Sequence, residues 1–144
     1  MSRWGYLPFE NDTAADFADD LDEAPESERL GRLAAALSVV AAGDGHIDAG
    51  RAEVAIAAAA IVVRDLPWGD RFQTSEEIPT QWVPVLSPDL LKLATGAIDR
   101  LLKGDNDLSD DWSGEADGGQ WVGTLRQLGR VLSGEDAEPP EKLF

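Results

Sequence analysis

The feature that most constrains this chain is the run from Val54 to Val63, VAIAAAAIVV, which is apolar on every side. A membrane span needs about 20 such residues, so ten are too few to cross a bilayer. A helix without a polar face has to be enclosed by other elements, which places this one at the centre of a domain. Its many alanines let neighbouring helices approach closely. The rest of the chain therefore has to supply helices with one apolar stripe each.

It does so. Thr13 to Glu23 carries Ala14, Phe17 and Leu21 at helical spacing, with Asn11 or Asp12 placed to cap the first turn. Asp22 and Glu23 oppose the dipole at its end, and Ala24-Pro25 stops it. Glu26 to Ala42 carries Leu30, Leu33, Leu37 and Val40, with Ser27 as the expected cap and Gly43 as the stop. Asp48 caps the central helix, which is expected to reach Arg64. Residues 65–86 hold Pro67, Pro79 and Pro84 with Trp68, Phe72 and Trp82, the composition of a packed loop laid over a bundle. Ser87, Pro88 and Asp89 open a fourth helix, whose core face runs from Leu90 to Leu102 and which Gly104 ends. Asp105 to Gly119 is read as an acidic Gly/Ser loop around Trp112, and Gln120 to Leu132 as a fifth helix with Trp121, Leu125, Leu128 and Leu132 in register. The expected fold class is all-α: a compact bundle of about five helices with a long ordered Pro/Trp loop between helices three and four. One domain is expected over residues 1–134, with a polar tail over 135–144.

With 144 residues the chain has the usual size of one domain, and it contains no cysteine. That removes disulfides, thiolate metal sites and a cysteine nucleophile. No apolar leader follows the first residues, and a cytoplasmic location is the expectation.

The net charge of −16 is unevenly placed. Residues 1–28 carry −8, residues 104–144 carry −7, and the middle carries −1. Such ends repel nucleic-acid phosphates and anionic membrane surfaces, so neither is an expected partner. A basic protein would be steered toward them. The bland alternative is that the charge serves only solubility.

Motifs for chemistry are sparse. Asp105, Asp107, Ser109 and Asp111 alternate like the opening of an EF-hand loop, but Asp110 and Ala116 stand where Gly and Glu are required. Asp44, His46 and Asp48 fail in the same way at Ala49 and Ala55. His46 is the one histidine; Asp44 and Asp48 beside it offer carboxylates that could hold its proton, but the expected reading is an exposed turn residue. No Gly-x-Ser-x-Gly turn and no phosphate loop accompanies it. No metal, cofactor or catalytic residue is assigned. Five tryptophans remain, and each suits a loop anchor better than a binding hot spot. Trp112, flanked by acidic and small residues, is the one expected to be exposed.

The opening Trp4-Gly5-Tyr6-Leu7-Pro8-Phe9-Glu10-Asn11-Asp12, followed by Ala15-Asp16-Phe17, resembles the signature of a bacterial family known as domain of unknown function 4259. His46-Ile47-Asp48 leading into Arg51-Ala52-Glu53, Asn106 to Trp112, and the helix from Trp121 to Leu132 are similar to later stretches of that family. Leu7 departs from it, standing where the family usually has glycine. The resemblance implies a compact helical domain and no particular activity. Within it, Trp4, Gly5, Phe9, Asn11 and Asp12 form a structural motif, a lid plugged by Trp4 and Phe9.

Three functions fit. The first is a non-enzymatic acidic binding domain, such as an immunity protein neutralising a basic toxin or nuclease. Its contacts would be Asp16, Asp19, Asp20, Asp105, Asp107, Asp110, Asp111 and Trp112. The second is a nucleic-acid mimic that inhibits a DNA-binding enzyme. The third is a small enzyme with a carboxylate-lined pocket joining Asp16 or Glu53 to a tryptophan.

Overall fold

Asn11 sets the first helix. Its side chain accepts from the Ala14 amide at 2.7 Å while its own amide donates to the Pro8 carbonyl at 3.4 Å. In the computed structural model, which describes residues 8, 11–43, 45–64, 88–116 and 118–133, this cap opens the first of six helices. They are α1 (Asp12–Glu23), α2 (Glu26–Ala41), α3 (Ala49–Val62), α4 (Pro88–Leu102), α5 (Asp107–Ser113) and α6 (Gly118–Ser133). No strand occurs among the described residues, where an isolated parallel bridge pairs Ile47 with Asn106. The fold is all-α, a helical bundle.

The alanine run lies at the centre, as its lack of a polar face requires. Every residue of α3 from Ala55 to Val62 is buried, and α1, α2, α4, α5 and α6 all pack against it. The other helices each turn one stripe inward: Ala14, Ala18 and Leu21 from α1; Leu33, Leu37 and Val40 from α2; Ala94, Ile98 and Leu101 from α4; Leu125 and Leu128 from α6. Where α2 meets α4, a Cβ built on Gly96 would lie 3.5 Å from the Ala41 methyl, so small residues bring the two helices together.

Three details differ from the sequence reading. Ser27 does not cap α2: Pro25 holds the cap position without a side-chain bond, and Ser27 lies inside the first turn. The acidic end of α1 is relieved from outside, since Arg29 of α2 donates to the Leu21 carbonyl at 3.2 Å and so brings a cation to the negative end of the dipole. The third difference is the number of helices. Asp105 to Gly119 is not a loop throughout, because Asn106 caps a seven-residue helix whose Leu108 and Trp112, one turn apart, are both buried. Trp112 is 8% exposed and stacks on Trp121 of α6, with ring centroids 6.2 Å apart and planes 9° from parallel. Four expectations fall outside the described residues: the positions of Trp4, Gly5 and Phe9, the Pro/Trp loop over 65–86, the Ser87 cap, and the tail over 135–144.

Candidate functional site

Two connectors far apart in sequence meet at one end of the bundle. The first links α2 to α3, the second α4 to α5. Gly45 and Gly104 both take positive φ, at 75° and 87°, the left-handed turns that glycine accommodates without steric cost. Asp105 follows at φ 59°, a conformation that aspartate tolerates better than most residues. These turns lay the connectors side by side. The Ile47 amide donates to the Asp105 carbonyl at 3.3 Å, and the Asp107 amide donates to the Ile47 carbonyl at 2.9 Å.

Asn106 locks this arrangement from below. It is fully buried. Its amide donates to the Leu101 and Gly104 carbonyls, both at 3.2 Å, and its Oδ1 accepts from the Ser109 amide at 2.7 Å. One side chain thus closes the end of α4 and starts α5.

Above it, His46 spans the seam. Its Nδ1 lies 3.0 Å from Oδ1 of Asp105, and its Nε2 lies 2.5 Å from Oδ1 of Asp107. The hydrogen bond to Asp105, then that to Asp107, push the imidazole pKa from 6.5 up to about 9, with desolvation opposing them and the two carboxylate charges assisting. The ring is therefore charged at neutral pH, and both of its N–H groups donate. Asp110, one turn along α5, brings a third carboxylate: ligand-type atoms of His46, Asp107 and Asp110 all lie within 4.8 Å of one another. Arg100 of α4 borders the cluster and donates to the Gly45 carbonyl.

His46 is exposed in a connector, as expected of a turn residue, but the carboxylates on its ring are Asp105 and Asp107 rather than its sequence neighbours. Asp48 is engaged as the α3 cap, accepting from the Arg51 amide, and pairs with the Arg51 side chain at 3.3 Å. Asp44 lies outside the described residues. The two broken EF-like stretches are in fact adjacent in space, across the Ile47–Asn106 bridge. The second does not keep the geometry of a calcium loop, because it becomes helical at Asp107.

Of the residues expected to contact a partner, Asp16, Asp19 and Asp20 are exposed on α1, and Asp105, Asp107, Asp110 and Asp111 are exposed at or in α5. Trp112 is the exception. It was expected on the surface, and it is buried because Trp121 offers it an aromatic face. The two acidic groups are carried by helices that both pack on α3. The role of Asn106 was missed by sequence reasoning; its position two residues before the Leu108-x-x-x-Trp112 pair was the available signal.

Glu53 of α3 is a buried carboxylate at 2% exposure, and Asp16 is exposed. A cleft of about 350 Å³ lies at the junction of α1, α2 and α3, lined by Thr13, Ala36, Val39, Asp48, Gly50, Arg51 and Val54. That lining is mostly apolar and contains neither Asp16, Glu53 nor a tryptophan. No described helix is long and apolar enough to cross a membrane.

A family model described as domain of unknown function (DUF4259) matches residues 2–124, and the chain belongs to that family. No curated protein and no solved structure matches it.

Proposed function

We propose, with membership of the DUF4259 family as the premise, that this chain is a non-enzymatic acidic domain that binds a basic protein, in the manner of an immunity protein neutralising a toxin or nuclease. The observation that carries this reading is the surface of α1. Its twelve residues include six carboxylates and no base, and Asp12, Asp16, Asp19, Asp20 and Glu23 are exposed. The exposed acids of α5 and its connector add to the same field. A field of one sign raises the encounter rate with a basic cleft and rejects acidic competitors. Asp16, Asp19, Asp20, Asp105, Asp107, Asp110 and Asp111 are the proposed contacts. Trp112 supports them from beneath by fixing α5.

The test is co-expression with the product of the neighbouring gene, followed by calorimetry on the purified pair. A tight complex with a basic protein is expected, weakening steeply with salt. Exchanging Asp16, Asp19 and Asp20 for Asn should cut the association rate by about tenfold or more. Absence of any tight basic partner, together with failure to protect a host cell, would remove the proposal. The row on α1 also suits a second reading, a nucleic-acid mimic, because it presents carboxylates along about 17 Å of helix. Competition separates the two: a mimic is displaced by the partner's DNA, whereas a binder of another surface is not.

A further inference from the structure

We propose that His46, Asp107 and Asp110 form a surface site for a divalent transition cation of the zinc type, with Asp105 orienting the imidazole from behind. The site shares Asp105, Asp107 and Asp110 with the proposed partner contacts, and its test is made on the isolated chain so that either reading can fail without the other.

The donor set comes first. One imidazole nitrogen and two carboxylates are the ligand types that zinc and its neighbours take. Their atoms lie within 4.8 Å of one another. Bonds of about 2.0–2.2 Å at tetrahedral angles place ligand atoms about 3.3–3.6 Å apart, so small side-chain rotations bring the three donors onto one ion. All three side chains are exposed, so the small rotations needed to admit an ion between Nε2 and Asp107 meet no packed neighbour. Three protein ligands leave a fourth position open to water or to a group of another molecule.

Asp105 lies outside this set of three and carries the argument further. Its carboxylate sits 3.0 Å from Nδ1 of His46. A metal-bound histidine usually donates its second ring nitrogen to a carboxylate, which fixes the tautomer and the ring plane. Here that partner is already in place on Nδ1; zinc would take Nε2 in exchange for its proton, which leaves to solvent, and would replace the bond from Nε2 to Asp107. The backbone supplies the rigidity. Asp105 and Asp107 flank Asn106, the fully buried residue of the seam, and the amide of Asp107 is held by Ile47. Ligands from two chain segments are therefore held in register by main-chain bonds.

The charge balance points the same way. Asp105, Asp107 and Asp110 place three carboxylates around one imidazole, and the neighbouring cation Arg100 is directed at the Gly45 carbonyl. The imidazole decides among cations. Calcium and magnesium take oxygen ligands and gain little from a ring nitrogen, whereas zinc, nickel and cobalt favour it.

The experiment is calorimetric titration of the full chain with zinc chloride, repeated with cobalt, calcium and magnesium. One-to-one binding of zinc is expected, with calcium and magnesium at least about tenfold weaker. Cobalt should give visible d–d absorption. His46→Gln should abolish the zinc signal. Asp110→Asn should weaken it, and Asp105→Asn should weaken it by about tenfold through loss of ring orientation. Both His46 and Asp110 are exposed, and helical circular dichroism verifies that each variant is folded. Three results would each overturn the proposal: no zinc binding, zinc binding unchanged in His46→Gln, or calcium bound as tightly as zinc. The last would reduce the cluster to an acidic surface.

Discussion

Asn106→Ala should be among the most destabilising single changes to this protein, and the structure allows its cost to be worked out. The native side chain makes three hydrogen bonds in a fully buried position. Loss of the cap on α5 costs about 1 kcal/mol. The Leu101 carbonyl keeps the Gly104 amide at 3.2 Å, whereas the Gly104 carbonyl loses the donor that Asn106 supplies, and a buried polar group left unpaired costs about 1–3 kcal/mol. Ser109 Oγ, 3.5 Å from the Leu101 carbonyl, adds a second, weaker donor there. The total is about 2–4 kcal/mol, set against a stability of about 5–15 kcal/mol for a domain of ordinary size. Urea denaturation followed by circular dichroism reads this as a lowered midpoint at unchanged slope. Asn106→Ser separates the contributions. Serine caps almost as well as asparagine but is too short to reach both carbonyls, so it should recover only the ~1 kcal/mol of the cap. A loss below about 0.5 kcal/mol in the alanine variant, the level of an ordinary surface substitution, would refute the view that Asn106 holds the seam.

Other consequences can be measured directly. The His46 pKa is raised from 6.5 to about 9, so the linked stability is complete below 6.5 and is lost as pH rises through about 9. NMR titration of the imidazole should give a pKa well above 6.5, and His46→Gln should flatten the pH dependence of unfolding across that window; a pKa at or below 6.5 would contradict the geometry. Trp112→Ala should cost about 3–5 kcal/mol through the lost ring and the cavity facing Trp121, read by the shift in thermal midpoint, and a surface-like effect would mean that α5 is not docked as described. Ala58→Leu, inserted where α3 has no free space, should destabilise by about 1–3 kcal/mol in chemical denaturation rather than stabilise by added apolar area.

The helices that carry the bundle were legible because their signals are local. The all-apolar run of α3, the Pro88 start of α4, the Asp48 cap and the stripe from Trp121 to Leu132 each lie within one element. Helix α5 was not legible for the opposite reason. Seven residues with three aspartates do not make a helix alone, since nucleation is unfavourable at that length. It exists because Asn106 caps it and Trp112 finds Trp121. The site failed to show itself in the same way. The acids around His46 that a sequence reader sees are Asp44 and Asp48, whereas those that hold its proton lie 59 and 61 residues later. The exposure of the α1 carboxylates, by contrast, followed from the placement of Ala14 and Leu21 on the opposite face.

The bridge between Ile47 and Asn106 has a consequence for the order in which the chain assembles. It closes a long stretch, and closure of about 60 residues carries an entropic penalty of about 3.6 kcal/mol, plus a constant, before any contact offsets it. Two main-chain bonds and a cluster exposed to water do not offset that unaided. The seam should therefore form only after α3 and α4 have docked, late on the folding route and outside its nucleus. Substitutions there should leave the refolding rate almost unchanged and raise the unfolding rate, so that this end of the bundle governs how long the native state lasts rather than how quickly it is reached.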